Sequence, residues 1–138
     1  MAEKWVVPCN PRIFDLVEHF KTNTSVVWKN ISKVEKGDIV YIYLGAPHKE
    51  MRYKCIVKNE NVDNETLLKN EYAKPIRPLS DLYQVEITYM ELELIEEFPI
   101  GAMTYWELRE NGLGQVQVQS RVSEKLQMYI DTKESTTR

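Results

Sequence analysis

Gly37-Asp38-Ile39-Val40-Tyr41-Ile42-Tyr43-Leu44-Gly45-Ala46-Pro47 is the stretch on which the fold turns. β-branched and aromatic residues follow one another from Ile39 to Tyr43, and Gly37 and Gly45-Ala46-Pro47 punctuate both ends, the pattern of a strand. Successive side chains alternate across a strand, so Val40, Ile42 and Leu44 share one face and Tyr41 and Tyr43 the other. The aliphatic face must be core. The tyrosine face admits two readings, the lining of a cavity or the filling of an interior.

Toward the N-terminus, Lys4 to Val7 reads as a first strand. Asn10 then has the character of an N-cap and Pro11 of a first helical residue, which predicts a helix through Phe20. Ile13, Leu16, Val17 and Phe20 recur at helical spacing and give it one apolar face. Lys21 to Ser25 is polar, and Trp28 follows Val26-Val27 in what reads as a loop.

Toward the C-terminus, Arg52 to Val57 predicts a strand with Tyr53, Cys55 and Val57 opposite Arg52, Lys54 and Ile56. Residues 63–73 suit a helix around Leu67 and Leu68, and Arg77-Pro78 an irregular connector. Leu82 to Ile95 predicts a long bent strand, a form common where sheets close into barrels. Thr104-Tyr105-Trp106-Glu107 is a capping box opening a short helix that Asn111-Gly112 ends, with Trp106 expected in the core. Gln115 to Gln119 suits a half-buried strand. Ser120 to Ile130 predicts a last helix with Val122, Leu126, Met128 or Tyr129, and Ile130 inward. The expectation is an α+β fold, a small bent mixed β-barrel with helices packed outside. It forms one domain over residues 1–130, followed by a disordered polar tail or linker at 131–138.

A chain of 138 residues can bury an ordinary core without staples. Hydrophobic content of 43% and charged content of 28% are those of a soluble globular protein. No apolar run is long enough to cross a bilayer and no leader opens the chain, so no membrane partner is expected. Two cysteines, Cys9 and Cys55, make no disulfide framework, and a cytoplasmic location is expected. The net charge of −3 is uneven, +3 over residues 1–60 and −6 over residues 61–138. That distribution permits a local phosphate-binding face without demanding one.

Catalytic and metal chemistry find little support. His19, expected as a solvated helix residue, and His48, in a loop beside Pro47, form no zinc spacing with the cysteines. There is no G-x-S-x-G, no H-E-x-x-H and no phosphate-cradling glycine loop; Gly112-Leu113-Gly114 reads as a helix stop. The carboxylates between Glu86 and Glu97 read as a solvated strand face. No metal, no cofactor and no enzymatic activity are expected.

Trp28 is the residue that asks for a ligand, although an indole that anchors a loop to the core is the plainer alternative. Asn10 can give and take hydrogen bonds as base-edge recognition requires, or it can simply start a helix. Lys29, Lys33, Lys49, Arg52 and Arg121 are candidate phosphate contacts, which position a strand without reading it.

Together these residues resemble the EVE domain of the PUA-like superfamily, a relative of the YTH and ASCH domains. The likeness runs from about residue 4 to 130. It is carried by Trp5-Val6-Val7-Pro8-Cys9-Asn10, Phe14, Val27-Trp28-Lys29, Gly37 to Tyr43, Arg52 to Val57 and Gln119-Ser120-Arg121-Val122-Ser123. The resemblance implies a bent barrel with an aromatic cage that holds a modified base flipped from nucleic acid. Trp28 would be one wall, Asn10 would meet the base edge, and Tyr43, Gly45, Ala46 and Pro47 would form the opposite rim. Arg121 would steady a phosphate.

The expected function is therefore that of a reader of a methylated or hydroxymethylated base, in DNA in preference to RNA. Such a reader would act as a monomer and as the specificity module of a modification-dependent restriction system, with a linked or partner nuclease. Three rivals remain. A methyl-lysine reader would use Asp38 as its carboxylate. A small ASCH-like hydrolase of modified nucleosides would use Lys21 and Thr24. The third is an RNA-binding accessory domain.

Overall fold

The computed structural model describes residues 3–30, 33–60, 62, 88–116 and 118–136. The helix expected at 63–73, the Arg77-Pro78 connector and the first part of the strand expected from Leu82 lie outside them. The described elements are β1 (Lys4–Cys9), α1 (Leu16–Thr22), β2 (Ser25–Asn30), β3 (Ile39–Leu44), β4 (Glu50–Asn59), β5 (Thr88–Glu97), α2 (Tyr105–Glu110), β6 (Ser120–Arg121) and α3 (Glu124–Thr136).

All six strands join one sheet in the order β2-β5-β4-β3-β1-β6. β1 runs parallel to β3, and every other neighbouring pair is antiparallel. The architecture is α+β, but the expected barrel does not close. Among the described residues no backbone ladder joins the edge strands β2 and β6. β6 has only two residues, both paired to β1, so it has no rung to spare for β2. A side chain bridges the gap instead: Gln119 Nε2 donates to the Lys29 carbonyl at 2.7 Å.

The alternation in β3 sorts the interior into two cores. Val40, Ile42 and Leu44 pack with Trp5, Val7 and Cys9 of β1, with Tyr53, Cys55 and Val57 of β4, and with Met90 and Leu92 of β5. Phe14 and Leu16 join them, with Val17 and Phe20 half-buried alongside. Tyr41 and Tyr43 point the other way and pack with Met51, Phe98, Leu108 of α2 and Leu126 and Ile130 of α3. The tyrosine face is thus filled interior beneath two helices. Burial raises the Tyr41 and Tyr43 phenols, Tyr43 to about 12.

Several boundaries move. α1 starts five residues after Pro11, because Asn10 closes a turn of its own. Asn10 Oδ1 accepts from Arg12 N at 3.0 Å, and the Asn10 carbonyl accepts from Ile13 N and Phe14 N at 2.9 and 3.1 Å. Asp15 is the N-cap in its place, its Oδ1 accepting from Glu18 N at 3.1 Å. His19 is buried instead of solvated, with Nε2 2.6 Å from the Ser25 carbonyl.

Trp28 sits on β2 opposite Met90, not in a loop. The capping box of α2 forms as expected, yet Trp106 is 74% exposed instead of core. Residues 115, 116, 118 and 119 are not in a strand; β6 follows at Ser120–Arg121, where the last helix is expected to begin, and α3 opens at Glu124. The tail expected from Asp131 is helix as far as Thr136. The Glu134 carboxylate accepts from Tyr41 Oη at 3.0 Å and pairs with Lys54 Nζ at 3.1 Å, so this stretch packs on the sheet.

Candidate nucleic-acid interface

The turn after β1 and the turn after β3 meet at one end of the sheet. Gly45 N donates to the Cys9 carbonyl at 2.9 Å, and a β-carbon at Gly45 would stand 3.4 Å from that oxygen. That distance is an ordinary contact, so it is the hydrogen bond that ties the two turns together. The structure brings Asn10, Gly45, Ala46 and Pro47 together here, with Asn10, Ala46 and Pro47 exposed. Lys49 closes the same turn: its N–H donates to the Gly45 carbonyl at 3.3 Å and its φ of 51° lies in the left-handed region.

Trp28 reaches this end through Phe14. The two rings meet edge to face, centroids 5.5 Å apart and planes at 69°. Phe14 N is also the donor that closes the Asn10 turn. One phenylalanine thus positions both the indole and the asparagine. Trp28 is half-buried on the face of β2 that meets the first core, so part of its ring is open and part is packing. Asn10 has no partner for Nδ2 among the described residues, while Oδ1 serves the turn. It presents a donor, not the paired donor and acceptor expected.

Tyr43 does not join this group. It lies on the opposite face of the sheet, 3% exposed, with its ring 6.3 Å from that of Tyr105. The expectation that it forms a rim facing Trp28 is corrected: one residue of strand parity separates it from the core that Trp28 touches.

The five basic candidates fall into separate places. Lys29 and Arg121 flank the Gln119 bridge, and Arg121 stands over the Trp5 ring at 5.3 Å. Lys33, exposed with φ of 57°, lies in the connection from β2 to β3. Lys49 belongs to the turn already described. Arg52 is not a surface cation: its side chain is 9% exposed and Nη1 lies 3.3 Å from Glu50 Oε1. Roughly 15 Å of extended β1 separates Asn10 from Trp5 and its Arg121 neighbour.

The groups for the rival chemistries are engaged or open to water. Asp38 is buried and accepts from Glu3 N, Glu35 N and Trp5 Nε1 at 3.0, 2.9 and 3.0 Å, leaving little of it for a methylated ammonium. Lys21 pairs with Glu18 at 2.9 Å in a solvated helix pair, and Thr24 is exposed. Burial pushes both thiols, Cys9 and Cys55, up to about 12, far from the thiolate a nucleophile needs. Among the described residues no cluster of three or more His, Cys, Asp or Glu could hold a metal, and no helix is long and apolar enough to cross a membrane.

Sequence reasoning missed Gln119 as the bridge between edges and Phe14 as the link from Asn10 to Trp28. An aromatic residue four positions after an Asn-Pro turn was the available sign of the second. Nothing in the sequence announced the first.

No family model matches the chain, and no curated protein does. Solved structures do. A serine-to-alanine variant of an ASCH protein from Zymomonas mobilis superposes with a TM-score of 0.64 at 14% identity, over 94% of this chain and 95% of that one. A hypothetical protein from Leishmania major gives 0.65 at 15% identity, over 100% and 98%. A protein from Pseudomonas putida gives 0.63 at 12% identity, over 94% and 97%. At such identities the likeness concerns architecture. The chain shares its fold with the ASCH protein of Zymomonas mobilis.

Proposed function

We propose that this domain binds nucleic acid and reads a modified base, in DNA in preference to RNA, that leaves the stack to lie against Trp28. The observation that carries the reading is the shared support of Trp28 and Asn10 by Phe14, at 5.5 Å from the indole and 3.1 Å from the Asn10 carbonyl. A half-open aromatic face then stands near a free amide donor and the exposed Ala46-Pro47 turn. Lys29, Lys33, Lys49 and Arg121 would contact phosphates, and Arg52 drops out of that set.

Unstacking and unpairing a base cost a few kcal/mol, and stacking on an aromatic ring returns about 1–3 kcal/mol. A buried methyl group adds about 0.8 kcal/mol, only roughly fourfold in affinity. Selection must therefore come also from shape and from the Asn10 donor, which suits an acceptor on the base edge. The biological setting we propose is recognition on behalf of a modification-dependent nuclease.

The test is an affinity panel of oligonucleotides bearing methylated, hydroxymethylated or unmodified bases, with Trp28→Leu beside the wild type. Leucine keeps apolar packing against Phe14 and removes the stacking face. The expected result is a preference for one modification that Trp28→Leu abolishes while the circular dichroism spectrum is unchanged. Retention of that preference in Trp28→Leu would sink the reading.

A further inference from the structure

The two turns that meet at the Asn10 end of the sheet carry two exposed cations, Arg12 and Lys49. Each turn closes on one carbonyl. The Asn10 carbonyl accepts from Ile13 N and Phe14 N at 2.9 and 3.1 Å, and the Gly45 carbonyl accepts from His48 N and Lys49 N at 3.1 and 3.3 Å. Gly45 N donates to the Cys9 carbonyl at 2.9 Å and joins the turns. Arg12 lies on the first turn, its N–H donating to Asn10 Oδ1 at 3.0 Å, and Lys49 ends the second.

The carboxylates nearest to them in sequence are engaged elsewhere. Asp15 Oδ1 accepts from Glu18 N at 3.1 Å, and Glu50 is buried with Oε1 3.3 Å from Arg52 Nη1. Among the described residues no carboxylate pairs with Arg12 or Lys49. Lys49 carries a second sign. Its φ of 51° is a backbone conformation that glycine adopts freely and that a side chain resists. The turn needs only that backbone, so the ammonium is kept there against the preference of the fold, as happens where strain serves a site.

We infer that the Asn10–Phe14 and Gly45–Lys49 turns form a phosphate clamp, with the Arg12 guanidinium as one arm and the Lys49 ammonium as the other. Its ligand is a phosphodiester, the linkage on one side of the nucleotide whose base edge meets Asn10. The inference rests on the reading given under Proposed function and adds Arg12 to it. Arg12 is two residues from Asn10, at most about 8 Å between Cα atoms. A guanidinium can grip a phosphate through two parallel N–H groups, and an ammonium adds a point charge. Neither reads sequence; the clamp sets the register in which the strand presents a base to Asn10.

The experiment measures binding by wild type, Arg12→Gln, Lys49→Gly, the double variant and Trp28→Leu. The probes are single-stranded pentanucleotides whose central base carries the modification that wild type prefers. One has ordinary phosphates, and two carry an uncharged methylphosphonate at the linkage 5′ or 3′ of that base. Lys49→Gly relieves the left-handed residue and is expected to melt no lower than wild type, so its loss of binding is not a loss of structure. Each single cation variant is expected to bind the ordinary probe about fivefold more weakly, the upper end for an exposed ion pair. Wild type is expected to lose affinity on one methylphosphonate probe and to keep it on the other. Each single variant then loses less than wild type on that same probe, and the double variant loses nothing. Unchanged affinity in either single variant, or a wild type indifferent to both methylphosphonates, overturns the clamp while the base preference leaves the first site standing. Variant losses of equal size on all three probes make these general surface charges and overturn it too. If wild type prefers no modified base, or Trp28→Leu keeps the preference, the reading at Trp28 falls and the clamp with it.

Discussion

Met51 and Tyr53 stand two residues apart on β4 yet bury on opposite faces of the sheet. Tyr43 pairs with Met51 and Ile42 with Tyr53, so Arg52 has no partner on β3 and is the extra residue of a bulge. The bulge inverts strand parity, and each half of β4 meets the matching face of β3. It also turns the Arg52 carbonyl toward Phe98 N, which donates to it at 2.8 Å.

The bulge places an ion pair inside. Glu50 Oε1 lies 3.3 Å from Arg52 Nη1, both side chains are under 10% exposed, and Glu50 Oε2 accepts from Gly101 N at 3.1 Å. Arg52→Ala leaves the Glu50 carboxylate buried without its cation and is expected to lower stability by about 3 kcal/mol. Urea denaturation followed by circular dichroism measures this. A loss below about 1 kcal/mol would mean that the pair behaves as if at the surface.

Asp38 ties together the starts of the parallel strands β1 and β3. It holds Trp5 Nε1, Glu3 N and Glu35 N with one carboxylate. Asp38→Ala leaves a buried indole N–H unpaired and is expected to cost about 2–3 kcal/mol, with Asp38→Asn intermediate. The fluorescence spectrum of Trp5 reads the local change, and thermal melts read the stability.

Alkaline pH should unfold the domain through groups that burial holds neutral. Cys9, Cys55, Tyr43 and Tyr53 are each pushed up to about 12 by burial from ordinary values of 9.0 for the thiols and 10.0 for the phenols. Between those values the unfolded chain has released protons that the folded chain keeps. Stability is therefore fully present below about pH 9 and falls as pH rises toward 12. Melting temperatures taken from pH 8 to 11 should decline, with tyrosinate absorbance rising together with the loss of structure. Tyrosinate forming in protein that stays folded would contradict the burial.

Arg121→Glu is expected to weaken binding of the preferred oligonucleotide and to reduce the slope of log K against log salt by about one phosphate contact. Lys29→Glu, across the Gln119 bridge, should act in the same direction. Titrations at several salt concentrations measure both slopes. A slope unchanged in Arg121→Glu removes that residue from the interface.

The strand faces were legible because period-two alternation needs only one strand's own residues. Val40, Ile42 and Leu44 in one core and Tyr41 and Tyr43 in the other follow from β3 alone. Trp28 reads locally as a loop residue because its strand is defined by β5, about sixty residues on, and no local pattern carries that pairing. Trp106 reads as an inward residue because the capping box is a local signal and the inward face is not. In a helix of only six residues Leu108 is the buried position, with Tyr105 half-buried one turn earlier, and the position between them turns outward. Tyr43 illustrates a third limit. A tyrosine face reads equally well as cavity lining or filler until helices are seen to cover it. Arg52 illustrates a fourth, since a bulge exists only relative to a partner strand. The Asp15 cap, by contrast, could have been read: an acid three residues before Glu18 ahead of an apolar helix is itself a start signal.

The bond from Gln119 to Lys29 has a mechanical meaning. The strand bearing the indole is laddered to β5 along one margin, and at the other margin the Gln119 amide clasps it to the segment that leads into Arg121. Whatever draws on the guanidinium is thereby transmitted to the indole's strand.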